Sequence, residues 1–75
     1  MEQACGDDLM LEFIAKGYKE KTPVTLWHVG NYAYEIKFNG LHGTSTMLLL
    51  DTAYEDAMRK LEGIVDYGAY TICGP

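Results

Sequence analysis

The fold is decided by the stretch NYAYEIKFNGLHGTSTMLLLDTAYEDAMRKLEGIVD, residues 31–66. In its first part, bulky side chains alternate with small or charged ones, at Tyr32, Tyr34, Ile36 and Phe38. Alternation with a period of two is typical of a half-buried β-strand. Asn39-Gly40 follows, a pair that favours a two-residue hairpin turn because both turn positions need positive φ. These residues predict a β-hairpin with residues 41–50 as the returning strand.

A helix is predicted after this hairpin, from Ala53 to about Asp66. Thr52-Ala-Tyr-Glu55 has the spacing of a capping box. Apolar positions then recur at helical spacing and form one stripe, at Ala53, Ala57, Leu61 and Ile64. Gly68 is the predicted end of the helical region. Residues 69–73 have the composition of a short last strand.

Upstream of residue 31, the pattern predicts one helix and one strand. Asp7 or Asp8 can cap a helix whose apolar stripe is Leu9, Met10, Phe13 and Ile14, and Gly17 suits the position after its end. Residues 22–29 predict the first strand, and Gly30-Asn31 predicts its turn. On this register Trp27 lies opposite Tyr34, and both face the helices.

These elements predict an α+β fold, a two-layer sandwich of a three-stranded antiparallel meander with two helices packed on one face. The order is α-β-β-β-α, with a short C-terminal strand possible in addition. Residues 1–75 are expected to form a single small domain, with residues 1–6 frayed. Trp27→Ala is then expected to cost roughly 3–5 kcal/mol, as in a core. The face away from the helices has apolar corners at Leu26, Leu48 and Leu50.

The composition and charge limit the classes of function. The 75 residues are 48% apolar and carry a formal net charge of −5, which is ordinary for a globular protein. No segment resembles a signal peptide or a membrane span, so a cytoplasmic location is expected. Cys5 and Cys73 are then expected to be free thiols, because disulfides are rare in that compartment, and a disulfide that closes the long loop between them is the alternative.

The predicted α-β-β-β-α order, over about residues 8–67, resembles the double-stranded-RNA-binding domain in topology. The resemblance implies phosphate-gripping lysines at the start of the last helix. Here that start is Asp51-Thr-Ala-Tyr-Glu55-Asp56, which is acidic and repels phosphate. Nucleic-acid binding is therefore the alternative function and not the preferred one.

Catalytic and metal-binding patterns are weak in this sequence. Cys5, His28, His42 and Cys73 are zinc-ligand residue types, but they are not spaced as local ligand pairs. Ser45 lacks the Gly-x-Ser-x-Gly setting of a nucleophile. We therefore expect a non-enzymatic protein with no cofactor and no metal site.

The remaining candidate site is an acidic ridge on the last helix. Its residues are Asp51, Glu55, Asp56, Glu62 and Asp66. Such a ridge suits a partner protein with a basic surface. Three tyrosines in connectors or the tail are further contact candidates, Tyr18, Tyr67 and Tyr70.

The predicted function is that of a small acidic protein-binding module. Phage- or mobile-element-encoded inhibitors of a host enzyme or defence complex are often built in this way, and that class is the expected one. A homodimer is also predicted, through an exposed sheet edge or through the face away from the helices.

Overall fold

A computed structural model describes residues 13–73. Over these residues the chain forms a five-stranded antiparallel sheet and one α-helix. The strands are β1 (Phe13–Lys19), β2 (Thr22–Gly30), β3 (Ala33–Gly40), β4 (Gly43–Leu49) and β5 (Tyr70–Ile72), and the helix is α1 (Tyr54–Ile64). The strand order across the sheet is β4-β3-β2-β1-β5. A short 3₁₀ turn, Asp66–Gly68, connects α1 to β5.

The predicted three-stranded meander with two helices is wrong, because Phe13–Lys19 forms β1. Phe13, Ile14 and Ala15 are consecutive and all buried. Phe13 stacks on Trp27, whereas Ile14 and Ala15 both pack in the core, and a register shift lies between Phe13 and Ala15, so the apolar run does not alternate. Such a short run cannot be told from one side of a helix by its periodicity. The predicted helix start at Asp7 or Asp8 and the frayed residues 1–6 lie outside the described residues.

The topological resemblance to the double-stranded-RNA-binding domain ends with this correction. In that arrangement a helix precedes the three strands, whereas here β1 joins the sheet as a neighbour of β2. The β1–β2 connection is a tight turn at Glu20 and Lys21, whose φ angles are 50° and 72°. Positive φ at both turn positions matches the twist of adjacent antiparallel strands.

The β2–β3 register differs from the predicted one by a single residue. Leu26 pairs with Ile36 and Trp27 pairs with Glu35, because Gly30 pairs with Ala33 and the register shifts between His28 and Gly30. An odd shift moves every side chain of a strand to the opposite face. Trp27 therefore lies on the face away from α1, and the prediction that it forms the core is wrong.

The β3–β4 register also differs, but by an even number of residues. The turn is at Leu41-His42 and not at Asn39-Gly40, so that Ile36 pairs with Met47. An even shift changes the cross-strand partners and leaves each side chain on its predicted face. Leu48 and Leu50 are accordingly exposed, 54% and 63%, whereas Leu26, the third predicted apolar corner, is fully buried.

The core lies between the sheet and α1. Leu26, Ile36 and Val24 of the central strands are fully buried, together with Leu61 of the helix. The capping box predicted for α1 does not form. The residue that precedes the helix is Ala53, with no side-chain cap, and the Thr52 hydroxyl donates to the carbonyl of Leu50 at 2.8 Å.

The end of α1 packs directly onto β1. A Cβ atom on Gly17 would lie 2.5 Å from Cγ1 of Val65 and 2.9 Å from the carbonyl oxygen of Ala69. Gly17 therefore allows a close approach inside a strand, and its predicted role at a helix end is wrong. The chain then returns along β1 as β5, and this is the short C-terminal strand expected from residues 69–73.

Candidate protein-binding surfaces

The five acidic residues predicted to bind a partner lie on different elements of the fold. Glu55, Asp56 and Glu62 are exposed on α1. Asp51 is exposed in the connection after β4, and Asp66 is half-buried in the 3₁₀ turn. The helix therefore carries three of the five, and the connections before and after it carry the other two.

Two of these carboxylates have partners within the chain. Asp56 Oδ1 accepts from Arg59 Nη1 at 3.0 Å, and both side chains are exposed. Exposed ion pairs of this kind contribute little stability. Asp66 Oδ2 accepts from the backbone N–H of Glu20 at 2.8 Å, which ties the 3₁₀ turn to the β1–β2 turn. Asp66 therefore has a structural contact that the sequence pattern did not predict.

Glu55 and Glu62 line a groove between α1 and β5. The groove has a volume of about 330 Å³. Its lining residues are Tyr54, Glu55, Met58, Arg59, Glu62, Tyr70 and Ile72. The two glutamates are seven residues apart, so they lie on one flank of the helix about 10 Å from each other. We call this surface the α1–β5 groove.

Aromatic and apolar side chains share the α1–β5 groove with the two carboxylates. Tyr54 is 41% exposed, Ile72 is 58% exposed and Tyr70 is half-buried. Tyr70 was one of the three tyrosines predicted to contact a partner. Tyr54 was not among the residues predicted to contact a partner. The two other tyrosines, Tyr18 and Tyr67, are exposed but do not line the groove.

Strand β4 is the second candidate surface. Every residue from Gly43 to Leu48 is exposed, and Met47, Leu48 and Leu50 are large apolar side chains among them or next to them. β4 is the last strand on its side of the sheet among the described residues. Only Leu49 of β4 packs against the core, and no other described strand pairs with the outer edge of β4.

The face of the sheet away from α1 is organised around Trp27. Its ring stacks on Phe13 with centroids 4.8 Å apart, and Lys37 Nζ lies 4.6 Å from its centre. Its Nε1–H donates to Thr25 Oγ1 at 2.8 Å. The Trp27 ring is thus already in contact with side chains of the same chain, which leaves it poorly suited to stacking on a ligand.

The residues considered for metal binding or catalysis are not gathered into a site. Within residues 13–73, no group of three or more potential metal ligands is found. His28 stacks on Tyr34 with ring centroids 4.8 Å apart, whereas His42 lies in the β3–β4 turn. Cys73 is disulfide-bonded, so the free thiol expected from the sequence is wrong at this position. The other cysteine of the chain, Cys5, lies outside the described residues.

Comparison with protein-family models, curated proteins and solved structures finds no match for this chain. In the described part of the chain, α1 is too short and too polar to cross a membrane. The α1–β5 groove and strand β4 are therefore the two surfaces from which a function can be proposed.

Proposed function

We propose that this chain is a small, acidic, non-enzymatic protein-binding module whose partner presents basic side chains to the α1–β5 groove. One observation carries the proposal: Glu55 and Glu62 lie in an exposed groove beside Tyr54 and Tyr70. Carboxylates attract lysine and arginine, and tyrosine rings bind the same side chains through cation–π contacts. The groove therefore offers a basic segment both charge and contact area.

The charge of the whole chain supports the same kind of partner. The formal net charge is −5, and a field of this sign attracts a basic surface during diffusional encounter. Asp51, Asp56 and Asp66 contribute to this field from outside the groove. We therefore assign direct contact to Glu55 and Glu62 and long-range steering to the other three acids.

Several finer points stay proposals. An inhibitor of a host enzyme or defence complex, encoded by a phage or mobile element, remains the proposed class, and a homodimer remains the proposed assembly. A cytoplasmic location is also still a prediction, and the disulfide at Cys73 is an argument against it because cytosolic disulfides are rare. Nucleic acid is the weaker alternative, since the acidic charge repels phosphate and the domain topology that suggested it is wrong.

The test compares two double variants that remove the same charge. Glu55→Gln/Glu62→Gln removes both carboxylates from the groove, which Arg59 also lines, whereas Glu20→Gln/Glu35→Gln removes the same number of charges from a turn and from the face away from α1. Tagged chains capture partners from lysate, and the association rate of the captured partner is then measured at increasing salt. We expect the groove variant to associate on the order of tenfold more slowly and the control to stay close to wild type.

Asp66 is left unchanged in this design because its carboxylate holds the β1–β2 turn. Melting curves of both double variants should match that of the wild type, since all four side chains are wholly or partly exposed. Equal association rates for the groove variant and the wild type would contradict the proposal.

A further inference from the structure

The outer edge of β4 has hydrogen-bonding groups that face away from the sheet. Gly40 and Gly43 flank a two-residue turn and form the first pair of the β3–β4 ladder. Residues that flank such a turn exchange their hydrogen bonds with each other, and bonded and non-bonded pairs then alternate along the ladder. The backbone N–H and C=O groups of Thr44, Thr46 and Leu48 therefore point outward, toward an edge with which no other described strand pairs.

β4 lacks the features that normally prevent edge strands from pairing. Exposed edges are usually protected by charged side chains, proline, a bulge or a very short strand. β4 is seven residues long, its sequence GTSTMLL has no charge and no proline, and its register with β3 has no shift. β5, at the other side of the sheet, has only three residues. The unprotected edge among the described strands is thus β4.

The sequence of β4 is complementary to itself about Thr46. In an antiparallel pair of two β4 strands centred there, Thr46 faces Thr46, Thr44 faces Leu48 and Ser45 faces Met47. Each large side chain thereby meets a small one, and threonine pairs are favourable across strands. The charged neighbours on β3 are Glu35 and Lys37, which cancel, so the charge next to the contact does not oppose pairing.

We propose that two copies of this chain pair antiparallel through β4, with the two-fold axis at Thr46 and perpendicular to the sheet. The product is a continuous sheet of ten strands, five from each copy. This axis keeps both α1 helices on one face of that sheet. Met47 and Leu49 of the two copies then line the space between the helices, where a single copy leaves Met47 37% exposed.

The dimer also sets the distance between the two α1–β5 grooves. Because β5 is at the opposite side of the sheet from β4, the two grooves lie at the two ends of the ten-stranded sheet. Nine steps of about 4.8 Å place them about 40 Å apart. In this last respect the inference rests on the proposed function: if the grooves bind basic segments, the dimer binds two of them at once and gains avidity.

Pairing through one strand from each copy forms a small interface, so the dimer is expected in the micromolar range. The test measures the mass of the full chain, without any partner, by sedimentation from low to high micromolar concentration. Thr46→Lys places two ammonium groups opposite each other at the axis and should leave a monomer at all concentrations. Thr71→Lys, an exposed change on β5, is the matched control and should dimerise as the wild type does.

A rescue experiment tests the register. Thr46→Glu alone should also be monomeric, but an equimolar mixture of Thr46→Lys and Thr46→Glu should form a heterodimer, because lysine then faces glutamate. Far-UV circular dichroism and melting temperature check that each variant is folded.

A monomeric wild type at high micromolar concentration would overturn the proposal. So would a dimer that Thr71→Lys disrupts and Thr46→Lys does not, or a mixture that fails to associate. Self-association is measured here without a partner, so its failure is separate from failure of the α1–β5 groove as a binding site.

Discussion

Trp27 and Leu26 are neighbours in β2 with opposite surroundings. Leu26 is fully buried under α1, whereas Trp27 is half-buried on the other face, stacked on Phe13 and next to Lys37. Truncating Trp27 therefore removes a stacked pair and a partly exposed cation–π contact, and it leaves the main core intact. The expected cost of Trp27→Ala is about 2 kcal/mol, and that of Leu26→Ala is about 4 kcal/mol.

Urea unfolding followed by circular dichroism measures the free energy of unfolding of both variants. Tryptophan fluorescence is not suitable, because Trp27→Ala removes the only tryptophan of the chain. The ranking is the informative result, because the register predicted from sequence gives the reverse order. A larger loss for Trp27→Ala than for Leu26→Ala would contradict the observed β2–β3 register.

The alternation in residues 32–38 correctly identified β3 as a half-buried strand, with Tyr34 and Ile36 on its buried face. It could not locate the register shift between His28 and Gly30. The residue that this shift inserts is Val29, whose side chain is common in regular strands. Gly30-Asn31 and Asn31-Tyr32 are also both possible two-residue turns. Tyr32 adopts a φ of 53° in the observed turn, which its own residue type would not predict.

At the scale of elements, the contact between the end of α1 and β1 determines how β5 reaches the sheet edge. Gly17→Ala is expected to destabilise the fold by about 1–3 kcal/mol, because the added methyl would overlap Val65 and the Ala69 carbonyl. Gly63→Ala is the control: nothing lies within 4 Å of its Cβ position, and α1 gains helix propensity. The control should stabilise by about 0.5–1 kcal/mol.

Chemical denaturation of both glycine variants gives the comparison. Val65→Ala in the Gly17→Ala background removes Cγ1, the side-chain atom that lies nearest the new Cβ, so the loss in the double variant should be smaller than the sum of the two single losses. A neutral effect of Gly17→Ala would show that α1 does not end against β1.

The elements whose own sequence has a strong pattern could be predicted, whereas the elements that depend on packing against distant parts of the chain could not. The helix expected from Ala53 to about Asp66 is observed at Tyr54–Ile64, because its apolar stripe continues for three turns. β1 was predicted as a helix because Leu9, Met10, Phe13 and Ile14 recur at helical spacing, whereas its pairing with β2 and β5 depends on residues distant in the sequence. The α1–β5 groove was partly predictable: Glu55, Glu62 and Tyr70 came from charge and tyrosine placement, but their meeting depends on where β5 pairs.

At the scale of the whole molecule, the buried apolar core is small. The fully or nearly buried apolar side chains come from β1, β2, β3, α1 and the residue after it, whereas β4 and β5 contribute partly buried ones at most. A domain of this size is near the limit at which burial offsets the loss of chain entropy. A covalent link is therefore expected to supply a large share of the net stability, and Cys73, next to β5, is disulfide-bonded.

Cys73→Ser is accordingly expected to lower the free energy of unfolding by about 2–5 kcal/mol. The measurement is urea unfolding of the wild type with and without reductant, beside that of the variant. Reductant should bring the wild type to the stability of Cys73→Ser and should leave the variant unchanged, which separates the disulfide from general effects of the reductant. Reactive thiols on the unfolded, unreduced wild-type chain would contradict the expectation, and would restore the free thiols and the cytoplasmic location predicted from the sequence.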